Sequence, residues 1–267
     1  MKRKGLFASM LAISMLFTGC AKEESHDTLV VGMECNYAPF NWQSSKSSGS
    51  SISLDGAGYA DGYDVRIANY LADQLDKDVE IKKISWDGLI PAINAGDIDV
   101  IIAGMTEREG LDFTEPYYDS EMVMIVRKSD EEMLQYDDIQ QFAGKTIVGQ
   151  KNTNYDYVID QIEGVNHAVP KNNYPEMIVA LQKNDVDGIT AEYPVAAGVV
   201  DANPDLAIVK FAPGKGFDID TSVSIGMKKG SKDSQLFKDI EKALQKLDDE
   251  TRTQWMEDAI VMQPKVK

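Results

Sequence analysis

The chain has 267 residues, of which 43% are hydrophobic, and its 44 acidic and 27 basic residues give a formal charge of −17. So acidic a chain is not expected to bind nucleic acid. It holds two histidines and two cysteines and lacks a phosphate-binding glycine loop, so neither a metal cluster nor a nucleophile–histidine pair is evident.

The first nineteen residues are predicted to be an export signal. Basic residues 2–4 precede an apolar run over residues 5–17 that is too short to span a bilayer. Residues 16–20, Leu-Phe-Thr-Gly-Cys, resemble a bacterial lipobox, which predicts lipidation of Cys20; the alternative is an ordinary signal peptide with a chance cysteine. Residues 20–27 are predicted to be a tether. Cleavage leaves 24 basic and 44 acidic residues, a charge of −20, and with Cys35 as the other cysteine no intrachain disulfide is expected.

The first strand is predicted over residues 28–33, directly after the tether. Polar and aromatic residues follow at the strand end, a pattern typical of a pocket: Glu34, Asn36, Tyr37, Phe40 and Trp42. The serine- and glycine-rich residues 43–62 predict a mobile loop or loose hairpin. Asp64 is then expected to cap a helix, and residues 79–84 to form the next strand.

Two stretches 88 positions apart, residues 89–104 and 177–192, carry apolar residues at almost all of the same relative positions. Each predicts a helix, ending at Gly96 or Asn184, and then a buried strand. Asp87 is the expected cap of the first helix, with Pro91 in or near its first turn. The alternative is that any two helix–strand units look alike.

Two copies are too few for a solenoid, so they indicate two α/β lobes. Ligands bind beyond the carboxyl ends of strands in open α/β sheets, which places residues 104–106 on one wall of a cleft and Glu192 on the other. Extended runs over residues 122–127 and 222–227 predict two crossings between the lobes. Lobe 1 is therefore expected over residues 28–119 and 226–267, and lobe 2 over residues 120–225. A helix over 235–247 and the segment 253–260 are predicted to pack in the core.

Five segments, taken in order, resemble the polar amino-acid-binding proteins of ABC importers, extracellular solute-binding protein family 3: residues 31–40, 62–65, 86–92, 101–106 and 112–118. The resemblance implies a two-lobed periplasmic-binding-protein-like fold of type II. It also implies a non-catalytic, extracytoplasmic, monomeric receptor without a cofactor. Such a receptor closes on a polar or basic amino acid by hinge motion and delivers it to a membrane permease.

The resemblance also assigns ligand-binding positions residue by residue: Glu34, Tyr37, Trp86, Gly104, Thr106, Thr153 and Glu192, to which Arg108 is added as the candidate cation. Tyr37 is expected to stack on the ligand and Trp86 to cover it, although core packing is an alternative for Trp86. Glu192 is expected to pair with the α-ammonium, and Glu34 to lie near the ligand side chain, which favours a cationic or polar amino acid.

The Gly104 backbone and the Thr106 hydroxyl are expected to bind the ligand's α-groups. Thr153, at a helix start, is expected to help hold the α-carboxylate, because free N–H groups there favour an anion. Arg108 is the predicted cation, because its fork can pair two carboxylate oxygens. It departs from the family: it lies two residues after Thr106 where five is usual, and the segment up to residue 112 is about four residues short. Either Arg108 swings into place or carboxylate binding is impaired.

Three other functions stay open at this point. The same fold hosts a cyclohexadienyl-dehydratase-like enzyme, which would use Glu192 to move a proton. A ligand sensor module is a second alternative, although no transmembrane helix and kinase follow. The third is a scaffold without a ligand, suggested by the short Arg108 segment.

Overall fold

The computed structural model describes residues 27–264, so the predicted signal peptide and Cys20 lie outside the described residues. The strands are β1 Thr28–Met33, β2 Asn36–Tyr37, β3 Asn41–Ser44, β4 Ile52–Ser53, β5 Tyr59–Asp61, β6 Asp78–Lys83, β7 Val100–Ile101, β8 Leu111–Phe113, β9 Met122–Arg127, β10 Thr146–Val148, β11 Asn166–His167, β12 Gly188–Glu192, β13 Leu206–Val209 and β14 Gly226–Lys228. The α-helices are α1 Tyr63–Leu75, α2 Trp86–Ala95, α3 Asn154–Tyr157, α4 Tyr174–Gln182, α5 Tyr193–Ala202, α6 Gln235–Leu244 and α7 Asp249–Met262.

Lobe 1 is built on a five-stranded sheet with the order β6-β1-β7-β14-β8. Strand β1 pairs in parallel with β6 and β7, whereas β14 runs antiparallel to β7 and β8. Strand β1 is apolar along most of its length because it lies inside the sheet with neighbours on both sides. Its carboxyl end leads directly into Glu34.

Lobe 2 is built on a second five-stranded sheet with the order β11-β10-β12-β9-β13. Strand β12 is fully buried and lies between β10, which is parallel to it, and β9, which is antiparallel. Its carboxyl end is Glu192, so each lobe presents a glutamate just beyond a central strand.

Two segments connect the sheets, and they pair with each other through an isolated antiparallel bridge between Tyr118 and Val223. The expectation of a two-lobed α/β fold joined by two crossings is confirmed, but the run 122–127, which was taken to indicate one crossing, is strand β9 inside the lobe 2 sheet. The lobe boundaries stay a prediction: residues 28–119 and 226–267 for lobe 1, and residues 120–225 for lobe 2. Within residues 27–264, no helix combines the length and apolar character needed to cross a bilayer.

The repeated units appear as α2 followed by β7, and α4 followed by β12. Gly96 ends α2 in the left-handed conformation, with φ of 85°, as its position predicts. The expected cap was wrong: α2 begins at Trp86 after Ser85, so Pro91 lies inside the helix and Asp87 in its first turn. The Asp87 side chain instead reaches across to lobe 2.

Two other local expectations also need correction. Gly62, not Asp64, precedes α1, and the Asp64 carboxylate is buried, where it accepts hydrogen bonds from Asn41 Nδ2 (2.7 Å) and the Tyr117 hydroxyl (2.8 Å). The serine-rich segment is not a loose loop, because β3, β4 and β5 join β2 in a four-stranded sheet.

The C-terminal helix α7 contacts both lobes. It packs against α1, where Asp258 pairs with Arg66 at 2.9 Å, and against α5. A Cβ at Gly198 of α5 would lie 2.4 Å from the amide of Gln263, so the chain just after α7 rests closely on lobe 2. The last helix therefore lies across the lobe boundary.

Candidate functional site

Glu192 lies at the centre of the cleft, buried between the lobes. It ends β12, and its Oε1 accepts a hydrogen bond from the hydroxyl of Tyr37 in lobe 1. Its Oε2 is also buried. Burial raises the pKa of Glu192 to about 8, although hydrogen bonding from Tyr37 and Tyr155 opposes that rise. A buried carboxylate is an acceptor for a cationic donor.

Aromatic rings form the wall beside Glu192. The Tyr37 ring stacks on Phe40, with centroids 5.4 Å apart, and meets Tyr174 of lobe 2 at 5.3 Å. Gly104 allows this arrangement, since a Cβ there would lie 2.7 Å from Tyr37 Cε1 and its φ is 57°. The absence of a side chain at Gly104 therefore leaves the space that the Tyr37 ring occupies.

Tyr155 and Tyr174 belong to this wall, and neither was predicted as a site residue from the sequence. Both are buried, and the Tyr155 phenol hydrogen-bonds with Glu192. Burial, and after it the charge of Glu192, raises the pKa of each phenol. Tyr155 lies two residues after Thr153, and this position at the predicted helix start is the sequence feature from which its place in the site could have been predicted.

Glu34 lies at the other end of the wall, where β1 ends. It is 7% exposed, and its Oε2 accepts a hydrogen bond of 3.0 Å from Gln150 Nε2 of lobe 2. Burial raises its pKa to about 7. Beside it opens a cavity of about 340 Å³, lined by residues of both lobes that include Trp86, Asp87 and Asn173. This cavity connects Glu34 with the rim of the cleft.

The rim is held by contacts between the lobes. Trp86 Nε1 and Arg108 Nη1 each donate a hydrogen bond of 3.1 Å to the backbone oxygen of Asn152. Asp87 accepts from Lys151 Nζ at 2.9 Å and from Asn152 Nδ2 at 2.7 Å. Trp86 and Arg108, predicted to touch the ligand, are thus placed where the lobes close.

The residues predicted to bind the ligand's α-groups also make hydrogen bonds within the protein. The Gly104 N–H donates to the Tyr117 hydroxyl at 3.0 Å, and the Thr153 hydroxyl donates to the Gln150 backbone oxygen at 2.7 Å. Thr106 Oγ1 accepts from Asn154 Nδ2 at 2.9 Å. The helix that Thr153 precedes is α3, a single turn, and the Thr153 side chain does not cap it.

Cys35 lies beside Glu34 and is fully covered. It is 1% exposed, its backbone N–H donates to Asn41 Oδ1 at 2.7 Å, and burial raises the pKa of its thiol to about 12. Within the described residues, no group of three or more metal-ligating side chains is found. The site offers carboxylates and aromatic rings, which suit binding of a cation.

Comparison with known proteins identifies the family. The model of the family described as "Bacterial extracellular solute-binding proteins, family 3" matches residues 29–258 of this chain. The chain belongs to this family. A probable histidine-binding protein of Campylobacter jejuni is 29% identical over 221 residues, which cover 76% of this chain and 79% of that relative.

Solved structures agree with this assignment. The amino acid ABC transporter substrate-binding protein AbpA of Streptococcus pneumoniae, bound to L-arginine, superposes with a TM-score of 0.74 at 28% identity and covers 88% of this chain and 94% of its own. An ancestral arginine-binding protein bound to glutamine gives a TM-score of 0.71 at 28% identity, with 86% and 96% covered. Because these relatives are named as binding proteins, one of them of an amino acid ABC transporter, the expectations of a solute-binding function and of a chain that is not an enzyme are confirmed.

Proposed function

We propose that this chain captures a polar or basic amino acid between its lobes and delivers it to the permease of an ABC importer. The observation that carries the proposal is the pair of buried carboxylates, Glu34 and Glu192, which come from facing lobes and share one aromatic wall. The ligand's ammonium pairs with Glu192, and its side chain extends toward Glu34. Tyr37 and Trp86 contact the ligand between them.

Capture requires the lobes to separate and close. The rim contacts of Asp87 and Arg108 with residues 151–152 are of the kind that form on closure, and the two crossing segments are the natural hinge. We further propose that the protein works outside the cytoplasm as a monomer, anchored by a lipid on Cys20. Family membership and the names of the relatives support transport.

A calorimetric screen against the common L-amino acids and cystine tests the proposal. We expect binding confined to arginine, lysine, histidine or glutamine, with one site per chain. A ligand at one hundred times its Kd adds about 2.7 kcal/mol to the free energy of unfolding, which raises the thermal midpoint by roughly 5 to 10 °C. If none of these compounds binds or raises the thermal midpoint, the proposal is refuted.

Glu192→Gln tests the role of the central carboxylate. The substitution keeps the shape but removes the charge, so the amino acid that binds in the screen should lose at least about a hundredfold in affinity, because one partner of a buried charge pair is lost. Glu131→Gln, at an exposed position of lobe 2, is the matched control and should bind normally. Equal affinity in both variants would remove Glu192 from the site.

A further inference from the structure

A second cavity opens between the lobes, beside the amino-acid cleft. Its volume is about 510 Å³, which lies in the range of small-molecule pockets. One wall comes from the segment of β2 and β3 in lobe 1 and includes Ala38 and Trp42. The other wall comes from α4 and α5 of lobe 2 and includes Ile178 and Ala202. The cavity is therefore complete only when the two lobes lie together.

The lining of this cavity carries no formal charge among the described residues. Four other cavities of the described chain each include ionised side chains, among them Lys77, Arg66, Asp87 and Glu121. The chain as a whole has a charge of −17 and repels anions, whereas a cation buried here would have no counter-charge in the lining. An uncharged molecule is the occupant that these electrostatics favour.

Apolar groups from both lobes contribute to the lining. They include the aromatic side chains of Trp42 and Tyr174 and the aliphatic side chain of Ile178. Asn203 and Gln263 also border the cavity, and each amide is held by a hydrogen bond of 2.8 Å that it donates to a backbone oxygen of its own segment. Since covering apolar surface is favourable, the occupant should itself be largely apolar.

The cavity is distinct from the amino-acid cleft. Among the described residues that the structure places around Glu192, Tyr174 alone lines the cavity. The Tyr174 hydroxyl donates to the Thr190 backbone oxygen at 3.0 Å, and its ring packs against Tyr37 with centroids 5.3 Å apart. Trp42, which the sequence pattern assigned to a pocket, lines this second cavity. The two sites therefore share one ring but not their carboxylates.

We propose that this cavity is a second binding site, which takes a small, uncharged and largely apolar molecule such as an aromatic compound. The occupant contacts both lobes and thereby favours their closed arrangement. This site goes beyond the proposed function, because it uses neither Glu34 nor Glu192.

Fluorescence titration of the purified full chain with N-phenylnaphthylamine tests the inference. This probe is uncharged and becomes bright in apolar surroundings. Anilinonaphthalene sulfonate is its matched control, because it has the same rings and one added sulfonate. We expect the uncharged probe to saturate at one site per chain, with a Kd on the order of 10 μM, and the sulfonate to bind at least about tenfold more weakly. No saturation, or equal affinity for the two probes, would overturn the inference.

Ile178→Lys tests where the probe binds. A charge in the lining should weaken the uncharged probe at least about tenfold and strengthen the sulfonate. Val179→Lys is the matched control, because Val179 is the next residue of α4, is 47% exposed and lies outside the lining. It should leave the affinity for the uncharged probe within about twofold. Equal changes in the two variants would mean that the probe binds elsewhere in the chain.

Ala202→Lys repeats the test on α5, so the result does not depend on the folding of one variant. The thermal midpoint of each variant checks its folding. The uncharged probe should again lose at least about tenfold in affinity. Normal affinity in a folded Ala202→Lys protein would contradict the proposed site.

Competition separates the cavity from the cleft. An amino acid that binds in the screen should, at saturation, leave the probe bound or tighten its binding, because closure brings the two walls together. If the amino acid displaces the probe, the probe occupies the cleft and the inference is wrong.

Discussion

At the scale of single residues, the charge state of Glu192 governs the site. Burial favours its protonated form, with a pKa of about 8, while the Tyr37 hydroxyl stabilises the carboxylate. An ammonium ligand needs the charged form. Below pH 8, binding must therefore release a proton, and affinity should rise with pH; Glu34, with a pKa of about 7, adds to this dependence at its lower end.

Calorimetry from pH 6 to 9 tests this coupling. The Kd for the bound amino acid should tighten by up to about tenfold per pH unit between pH 7 and 8, more steeply below pH 7 where Glu34 also titrates, and level off above pH 8. Tyr37→Phe removes the hydrogen bond that opposes the rise in pKa, so the plateau should move to higher pH. Tyr70→Phe is the matched control, because that hydroxyl donates to the Ala243 backbone oxygen away from the cleft. A pH-independent Kd would contradict this account of Glu192.

At the scale of elements, apolar periodicity predicted α1, α2, α4 and α6 and part of the buried strands, because these patterns are local, whereas α5, β10 and β13 were not predicted. Strands β1 and β9, the α2–β7 and α4–β12 units and the glutamate at each strand end were all accessible from the sequence. The small sheet was not, since its strands are two to four residues long and pair through backbone atoms. Asp64 was misread because its partners, Asn41 and Tyr117, are distant in sequence.

The same limit applies to the site. Glu34 and Glu192 could be predicted as site residues because they lie at the ends of buried strands. Gln150 and Tyr155 could not, because their roles depend on how lobe 2 faces lobe 1. Trp86 and Arg108 were expected to contact the ligand, which stays a prediction, and their shared contact with the Asn152 backbone could not be predicted because it depends on how the lobes meet.

The packing of α3 against β10 provides a test at this scale. A Cβ at Gly149 would lie 2.5 Å from Asp156 Cα and 2.8 Å from the Tyr155 backbone oxygen. Gly149→Ala should therefore push α3 away, destabilise the fold by about 1–3 kcal/mol and weaken ligand binding through Tyr155. Gly49→Ala, where no atom lies within 4 Å of the new Cβ, should leave the thermal midpoint unchanged. Equal midpoints for the two variants would contradict this packing argument.

At the scale of the whole molecule, the lobes are held together at the rim by hydrogen bonds to a short segment of lobe 2. Asp87, Trp86 and Arg108 of lobe 1 all bind residues 151–152. Since these groups are partly exposed, each contact contributes modestly, and together they bias the equilibrium between open and closed forms.

Asp87→Ala removes two of these rim contacts. We expect ligand affinity to fall by about threefold, because the closed form becomes less populated, and the thermal midpoint to change little. Small-angle X-ray scattering of the unliganded variant should show a larger radius of gyration. Asp73→Ala, at an exposed position on α1, is the control. An unchanged radius and affinity would mean that the rim does not hold the lobes.

The depth of Cys35 has a practical consequence for following closure. With its thiol pKa at about 12 and almost no exposed surface, Cys35 should not react with maleimides. A cysteine introduced at Val261, which is 74% exposed on the helix that touches both lobes, would then be the single labelled position once Cys20 is replaced. A fluorophore attached there would convert lobe motion into an optical signal.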